Sequence, residues 1–290
     1  TAIISGWGQS RAKQIVSYDI KLDNSATHAE IKDRCLDLNI VCGTDLKSAI
    51  GNADIVFSTV TADQALIVAK TAAPHLKKGA FWFDLNSCAP SSKQLAAKEI
   101  EARDVSYLDV AVMEPVHPKQ HLVPLFLSGN KSSLAAPILT ALPLNFVIIN
   151  GPVGKASSIK MVRSIMVKGM EALTAECTLA AAAAGVINEV LPSLKATHPH
   201  IDLESRAIYN FERSILHGLR RAAEMEEVSK MLEDLGLPSN MSQATSIWQR
   251  KIAKEAPHLE KSLNKKSFAL SAKKLLSAIS KSDYKKARNI

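Results

Sequence analysis

The stretch Asn150-Gly151-Pro152-Val153-Gly154-Lys155-Ala156-Ser157-Ser158-Ile159-Lys160 separates two kinds of pattern. Upstream, short apolar runs alternate with segments of helical spacing. Downstream, the pattern is helical only. Gly151, Pro152 and Gly154 punctuate a loop, and the next helix breaker is Gly169. Leu173 to Ala184 is rich in Ala and Leu, both strong helix formers. The spacing predicts one long helix from about Ala156 to Ala184.

Lys160, Ser164, Lys168 and Glu171 recur at helical spacing and share a narrow face of that helix. Ile159, Val162, Ile165, Met166, Met170 and Leu173 make most of the remaining surface apolar. The helix is therefore expected to be largely buried, with a polar stripe crossing it. The stripe is either a solvated face or a lysine at the mouth of a cleft. In a cleft, desolvation favours the neutral amine that proton transfer needs.

Working upstream, Asn145–Ile149, Leu125–Leu127, Val105–Val110, Ala80–Leu85 and Asp54–Val60 read as strands. Helical segments fall between several of them, among them Ser91 to Arg103 and Ala62 to Ala73. Gln14–Asp19 reads as a strand ending in an acid. Strands alternating with helices argue a mostly parallel sheet with helices on both faces. Ligands of such sheets bind at the carboxyl ends of the strands. That rim would carry Asp19, Thr59-Val60-Thr61 and Asn86-Ser87.

Gly6-Trp7-Gly8 imitates a dinucleotide-binding loop after an apolar Ala2-Ile3-Ile4. Such a loop must feed a helix that crosses to the next parallel strand, which takes a dozen or more residues. No such length separates Gly8 from Gln14. Thr1 to Ile4 is instead expected to end a helix, and Gly6 to Lys13 to turn into the next strand. The first strand and the Gly-rich loop would then precede Thr1.

The totals narrow the class. The chain has 290 residues, 47% hydrophobic and 22% charged, with a net charge of +8. These values suit a soluble globular protein of one or two domains. No apolar run is long enough to span a membrane. Cys35, Cys42, Cys88 and Cys177 show neither a CxxC pair nor metal-ligand spacing, so reduced thiols, a cytoplasmic location and no metal are expected. Much of the positive charge lies in a tail from Lys261 to Arg288, where lysines interleave with Leu263, Phe268, Leu270, Leu275, Leu276 and Ile279. A basic tail can bind nucleic acid, but this spacing describes an amphipathic terminal helix, and base-stacking aromatics are scarce. No nucleic-acid partner is expected.

Downstream, Asp202 to Leu235 is long and helical, with Gly236 and Pro238 beyond it. Asn210, Arg213, Ser214, His217, Arg221 and Glu224 share one face. Ile215, Leu219, Ala222 and Ala223 share the other and are expected to bury in the helical core. The polar stripe either pairs with acids within that core or presents cations to an anionic substrate.

Together these features resemble the β-hydroxyacid dehydrogenase superfamily, which includes 3-hydroxyisobutyrate and 6-phosphogluconate dehydrogenases. The Gly151-to-Lys160 segment is similar to that family's Gly-rich turn and catalytic lysine at the start of an interdomain helix. Asp84-Leu85-Asn86-Ser87-Cys88-Ala89-Pro90 is similar to its Asp, Ser, Thr and Pro segment after a strand. Tyr209-Asn210, Arg213, His217-Gly218-Leu219-Arg220-Arg221 and Glu224-Met225 look like a less characterised, 6-phosphogluconate-dehydrogenase-like branch. Two departures concern the substrate. Ser164 stands where the family has Asn, and Asp109-Val110-Ala111-Val112-Met113 lacks the family's Ser-Gly-Gly loop.

The resemblance implies an α/β fold: a Rossmann-like doubly wound sheet over 1–152, then an all-α C-terminal domain over 153–290, joined by the long interdomain helix. It implies hydride transfer between nicotinamide and a small, acidic hydroxy or keto substrate, with Lys160 as general acid and base. Asp19, Thr59, Val60, Thr61 and Asn86 would bind the cofactor. Ser87, Ser164, His217 and Arg221 would bind the substrate. Asp19 would take the ribose diol and disfavour a 2′-phosphate, so NAD is expected, with NADP possible given Lys21 close by. A strand-terminal turn would also place an Asp there. Related proteins dimerise through the helical half, so a homodimer is expected. Two alternatives stay open: a non-catalytic nucleotide-binding protein of the same fold, and reduction of an imine.

Overall fold

The computed structural model describes residues 1–8, 12–255 and 268–287. The chain divides into two compact units, Thr1–Met161 and Val162–Ile290. Among the described residues, no helix is long and apolar enough to cross a membrane.

The first unit is of Rossmann type. It opens with α1 (Ala2–Trp7), β1 (Val16–Ser17), α2 (Ser25–Asp37), β2 (Val41–Cys42), α3 (Leu46–Ile50) and β3 (Ile55–Ser58). Then come α4 (Ala65–Ala72), β4 (Phe81–Asp84), α5 (Pro90–Glu101), β5 (Ser106–Val112), β6 (Leu125–Ser128), α6 (Ala136–Ala141) and β7 (Phe146–Ile148). β1 and β2 form a parallel pair of their own. The other strands form one sheet in the order β3-β4-β5-β6-β7. All its pairings are parallel except β5 with β6, which is antiparallel.

Side-chain alternation explains why both faces of this sheet are covered. Trp82 and Tyr107 point to one face and pack with Ala69, Ala72, Ala97 and Ile100 of α4 and α5. Their neighbours Phe83 and Leu108 point to the other and pack with Trp7, Leu125, Leu127 and Leu139. Successive residues of a strand must face opposite ways, so a strand apolar at every position is a strand buried on both sides.

One boundary differs from the reading above. α1 does not stop at Ile4 but runs to Trp7, and only Gly8, at φ 53°, ends it. Burial of the Trp7 indole near the Phe57 ring, with centroids 6.1 Å apart, holds the extra turn in place. Gln9, Ser10 and Arg11, part of the expected turn, lie outside the described residues.

α7 (Lys155–Ala183) begins in the first unit and ends in the second. The second unit continues with α8 (Ile187–Thr197), α9 (Leu203–Asp234), α10 (Asn240–Glu255) and α11 (Phe268–Ala287), and among its described residues the only regular elements are helices. α9 and α10 pack closely because Gly218 has no side chain; a Cβ there would lie 2.6 Å from the Gln249 carbonyl oxygen. Ala272, Leu275 and Ala278 of α11 join Ala175, Leu179, Phe211, Ile215 and Ile252 in one core. The amphipathic terminal helix is thus present where its side chains are described. Lys261, Lys265, Lys266 and Arg288, and the apolar Leu263, lie outside the described residues.

The helical faces correct two expectations. On α7, Ser164, Lys168 and Glu171 are buried, whereas Val162, Met166 and Leu173 are 56%, 69% and 59% exposed. On α9, Asn210, Ser214 and Arg221 are buried and Leu219 is exposed. Charge can go inside here because it is paired across helices: Lys168 with Glu224, at 3.0 Å, and Arg221 with Glu171.

Candidate functional site

The carboxyl ends of β3 and β4 form the rim of the site. These strands are neighbours, with Ser58 in register with Asp84, so the loops that follow them run side by side. Asn86 ties the loops together. Its side-chain oxygen accepts from the Val60 backbone N–H at 2.7 Å, and its amide nitrogen donates to Ser58 Oγ at 3.0 Å. The Asn86 backbone N–H in turn donates to Asp84 Oδ1 at 2.9 Å. Thr59, Val60 and Thr61 are therefore held beside Asn86 and Ser87.

Lys160 lies in the second turn of α7. Its Nζ donates to Ser87 Oγ at 2.6 Å, and the side chain is half-buried. The register of α7 over this rim follows from how its first turn is satisfied. The leading N–H groups of a helix have no partner within it. Here Asp109 of β5 supplies one: Oδ2 accepts from the Gly154 and Ser157 backbone N–H groups at 3.1 and 3.0 Å. Ser157 Oγ donates to Asp109 Oδ1, and Ser128 Oγ of β6 accepts from the Ala156 N–H at 2.9 Å. Gly154, at φ 100°, passes Pro90 of α5 so closely that a Cβ would stand 3.0 Å from the proline ring. Both reasons require glycine at this point of the turn.

Asp109 was singled out above only as the place where a Gly loop is missing. The structure puts that segment inside β5, pairing with β6, and turns Asp109 onto the start of α7. Lys93 was not singled out at all. It is fully buried, donates to Asp84 Oδ1 at 2.9 Å and lies 3.5 Å from Asp109 Oδ1. Tyr107 donates its hydroxyl to Asp84 Oδ2 at 2.5 Å. Burial and then the Asp84 charge push the Tyr107 phenol well above its ordinary range. The available signal was an acid in each of two otherwise largely apolar strands; Lys93, among Ser91, Ser92, Gln94 and Lys98, stood out by nothing local.

Asp19 follows β1, in the separate two-stranded sheet. Its Oδ1 accepts from the Lys21 backbone N–H at 3.0 Å and caps the single turn Ile20–Asp23. The carboxylate is exposed at the carboxyl end of a parallel strand, chemistry that suits a ribose diol. The hydroxyls and amides of Thr59 to Thr61 and of Asn86 suit a nicotinamide ring in the same way.

The remaining candidates lie in the second unit. Ser164 accepts from Lys168 Nζ at 3.0 Å. Burial, partly offset by Glu224, holds Lys168 below its ordinary lysine value. Arg221 is paired with Glu171, and Asn210 donates to the Glu171 carbonyl at 3.3 Å. His217 is half-buried; desolvation, then Arg213 and Arg220, hold it below the ordinary histidine value. Among the described residues, no group of three or more His, Cys, Asp or Glu is placed to hold a metal ion.

Comparison with known proteins agrees with this architecture. The NAD binding domain of 6-phosphogluconate dehydrogenase matches residues 6–142, and a domain of unknown function, DUF1932, matches residues 181–252. An uncharacterized 28.5 kDa protein of Methanothermus fervidus is 30% identical over 204 residues, 69% of this chain and 76% of its own. A conserved hypothetical protein of Sinorhizobium meliloti is 33% identical, with a TM-score of 0.72 over 94% of this chain and 92% of that one. A conserved protein of unknown function, described as structurally similar to 3-hydroxyacid dehydrogenases, is 26% identical, with a TM-score of 0.65 over 89% of this chain and 94% of its own. An NAD-binding sheet, a lysine at the start of a long helix and these relatives lead to one conclusion: the chain belongs to the β-hydroxyacid dehydrogenase superfamily.

Proposed function

We propose that this protein is an NAD(P)-dependent oxidoreductase acting on a small, anionic hydroxy or keto substrate, with Lys160 as general acid and base. The observation that carries the reading is the 2.6 Å contact from Lys160 Nζ to Ser87 Oγ beside the loops that follow β3 and β4.

Asp19, Thr59, Val60, Thr61 and Asn86 would hold the dinucleotide, Asp19 at the adenosine ribose and the others at the nicotinamide half. When bound, the nicotinamide supplies the hydride acceptor or donor. In oxidation, the neutral Lys160 amine takes the substrate hydroxyl proton; in reduction, the ammonium returns it to the new alkoxide. Ser87 orients Nζ and can itself hydrogen-bond the substrate oxygen. In the helical unit, His217 and Ser164 remain our candidates for substrate contacts. We assign Arg221 to the helical core, because Glu171 already meets its charge.

The exposed Val162, Met166 and Leu173 side chains of α7 support a second copy as partner. A concentration-dependent dimer in sedimentation, broken by Met166→Asp, is the expected result.

The test of function is a screen of 2- and 3-hydroxy acids with NAD and NADP, followed by Lys160→Ala on any substrate found. Loss of a positioned acid–base group is expected to lower kcat by about 10²–10⁴ while dinucleotide affinity is retained. Full activity of folded Lys160→Ala would refute the assignment. Turnover of cyclic imines with rejection of every hydroxy acid would favour imine reduction.

A further inference from the structure

Two acids stand next to each other inside the first unit. Asp84 closes β4 and pairs in register with Asp109 of β5. Both are buried, at 1% and 0% exposure. Like charges at adjacent positions of neighbouring strands repel, and burial magnifies the repulsion. Lys93, on the α5 helix that covers this face, sits against both carboxylates and also donates to the Asp84 carbonyl oxygen at 2.6 Å. Burial opposes its charge, and Asp84 and then Asp109 outweigh burial, so Lys93 titrates above the ordinary lysine value.

The two carboxylates have different tasks. Asp84 Oδ1 takes both Lys93 Nζ and the Asn86 backbone N–H, which fixes the start of the loop carrying Ser87. Asp109 takes the Gly154 and Ser157 N–H groups, which fixes the start of the helix carrying Lys160. The two halves of the Lys160–Ser87 contact are thus anchored on separate acids, and one ammonium bridges those acids. Gln94, the residue after Lys93, also donates to the Val153 carbonyl at 3.3 Å, tying α5 directly to the turn before α7.

We infer that Lys93 is a positioning residue for the candidate active site: its ammonium couples the Ser87 loop to the start of α7 and so sets the Lys160–Ser87 contact. The inference builds on the proposed role of Lys160, but the coupling itself is a statement about geometry. Lys93 reaches the contact through Asp84, the last residue of β4, and through Asp109, against the start of α7.

Amide hydrogen exchange, resolved residue by residue by NMR on the full chain, tests it in Lys93→Met. Exchange is expected to speed up about tenfold or more at Asn86 and, together with it, at Gly154, Ala156 and Ser157, while the ladder amides of β3 and β4 keep their protection. Acetylation of Lys160 by a soluble acyl ester, read by peptide mass spectrometry, should rise about tenfold or more, as expected when one hydrogen bond of a charged donor is lost. Exposed Lys155 should keep its rate. Acceleration confined to Asn86 or to α7, no acceleration, acceleration of every amide alike, or an unchanged Lys160 rate would each overturn the proposal. Should Lys93→Met not fold, Asp109→Asn keeps the shape and one acceptor oxygen. Faster exchange at Asn86, where Asp109 makes no contact of its own, then supports the coupling, and unchanged exchange at Asn86 overturns it. None of these readouts uses turnover. The coupling can therefore fail while Lys160→Ala still abolishes activity, and it can hold if Lys160→Ala is active.

Discussion

Lys160 and Ser87 are 73 residues apart in the chain and 2.6 Å apart at the ends of their side chains. A strand-end loop and a helix begun by a Gly-Pro-Val-Gly turn meet at that contact. Ser87→Ala removes the acceptor and leaves the fold otherwise unchanged. A hydrogen bond from a lysine ammonium is worth about 1.5–3 kcal/mol, so kcat should fall by roughly ten- to a hundredfold. Dinucleotide affinity, measured by calorimetry, should not change. A larger fall in affinity than in kcat would place Ser87 with the cofactor instead.

Arg221 and Glu171 give a stability prediction. Both are buried, with side chains 6% and 11% exposed, and they pair with each other. Arg221→Met leaves Glu171 as an uncompensated buried acid and should cost about 3–5 kcal/mol in denaturant unfolding. Arg221→Met with Glu171→Leu removes both charges and should recover most of that loss. If Arg221→Met is instead as stable as the parent and loses affinity for an acidic substrate, Arg221 belongs to substrate binding.

Lys168 makes stability depend on pH. Burial lowers its folded value below 10.5, against the pull of Glu224. The unfolded chain therefore binds more protons between the folded value and 10.5, and stability rises with pH across that window. Below the folded value the whole penalty for the buried ammonium is present. Lys168→Met has no such group, and Arg220 still faces Glu224. The unfolding free energy of the parent relative to Lys168→Met should therefore rise from neutral pH toward 10.5. A flat difference would mean that Lys168 keeps an ordinary value.

What the sequence made legible was local in the chain. A Gly-Pro-Val-Gly loop followed by unbroken helical spacing places Lys160 within a few residues, and α7 begins at Lys155, one residue before the expected start. Strand ends are equally local, so Ser87 and Val60 could be put on one rim before any pairing was known. The Asp84, Asp109 and Lys93 cluster was not legible, because it exists only through the register of β4 with β5 and the placement of α5 over both. The helical faces misled for a related reason. Periodicity divides a helix into a polar and an apolar side but does not say which side meets a neighbour. Lys168, Glu171 and Arg221 go inside because Glu224 and their own mutual pairing await them there.

The proposed preference for NAD rests on Asp19, and that role can be separated from the residue's part in its own turn. Its carboxylate caps the turn Ile20–Asp23 through the Lys21 N–H, and it also stands exposed just beyond β1. Loss of a capping side chain costs about 0.5–2 kcal/mol, so Asp19→Ala should be somewhat less stable whatever the site binds. Asp19→Asn keeps an oxygen for the cap and removes the charge, so its stability should stay near that of the parent. Under the proposed role both variants lose a charge-assisted contact to a ribose diol, worth about 1.5–3 kcal/mol. Both also lose the repulsion of a 2′-phosphate, and Lys21 remains nearby to attract one. In each, the ratio of kcat/KM for NAD over NADP should fall about tenfold or more. Because Asp19→Asn separates charge from cap, an unchanged ratio in that variant, beside a destabilised Asp19→Ala, would leave Asp19 as a turn residue and place the cofactor preference elsewhere.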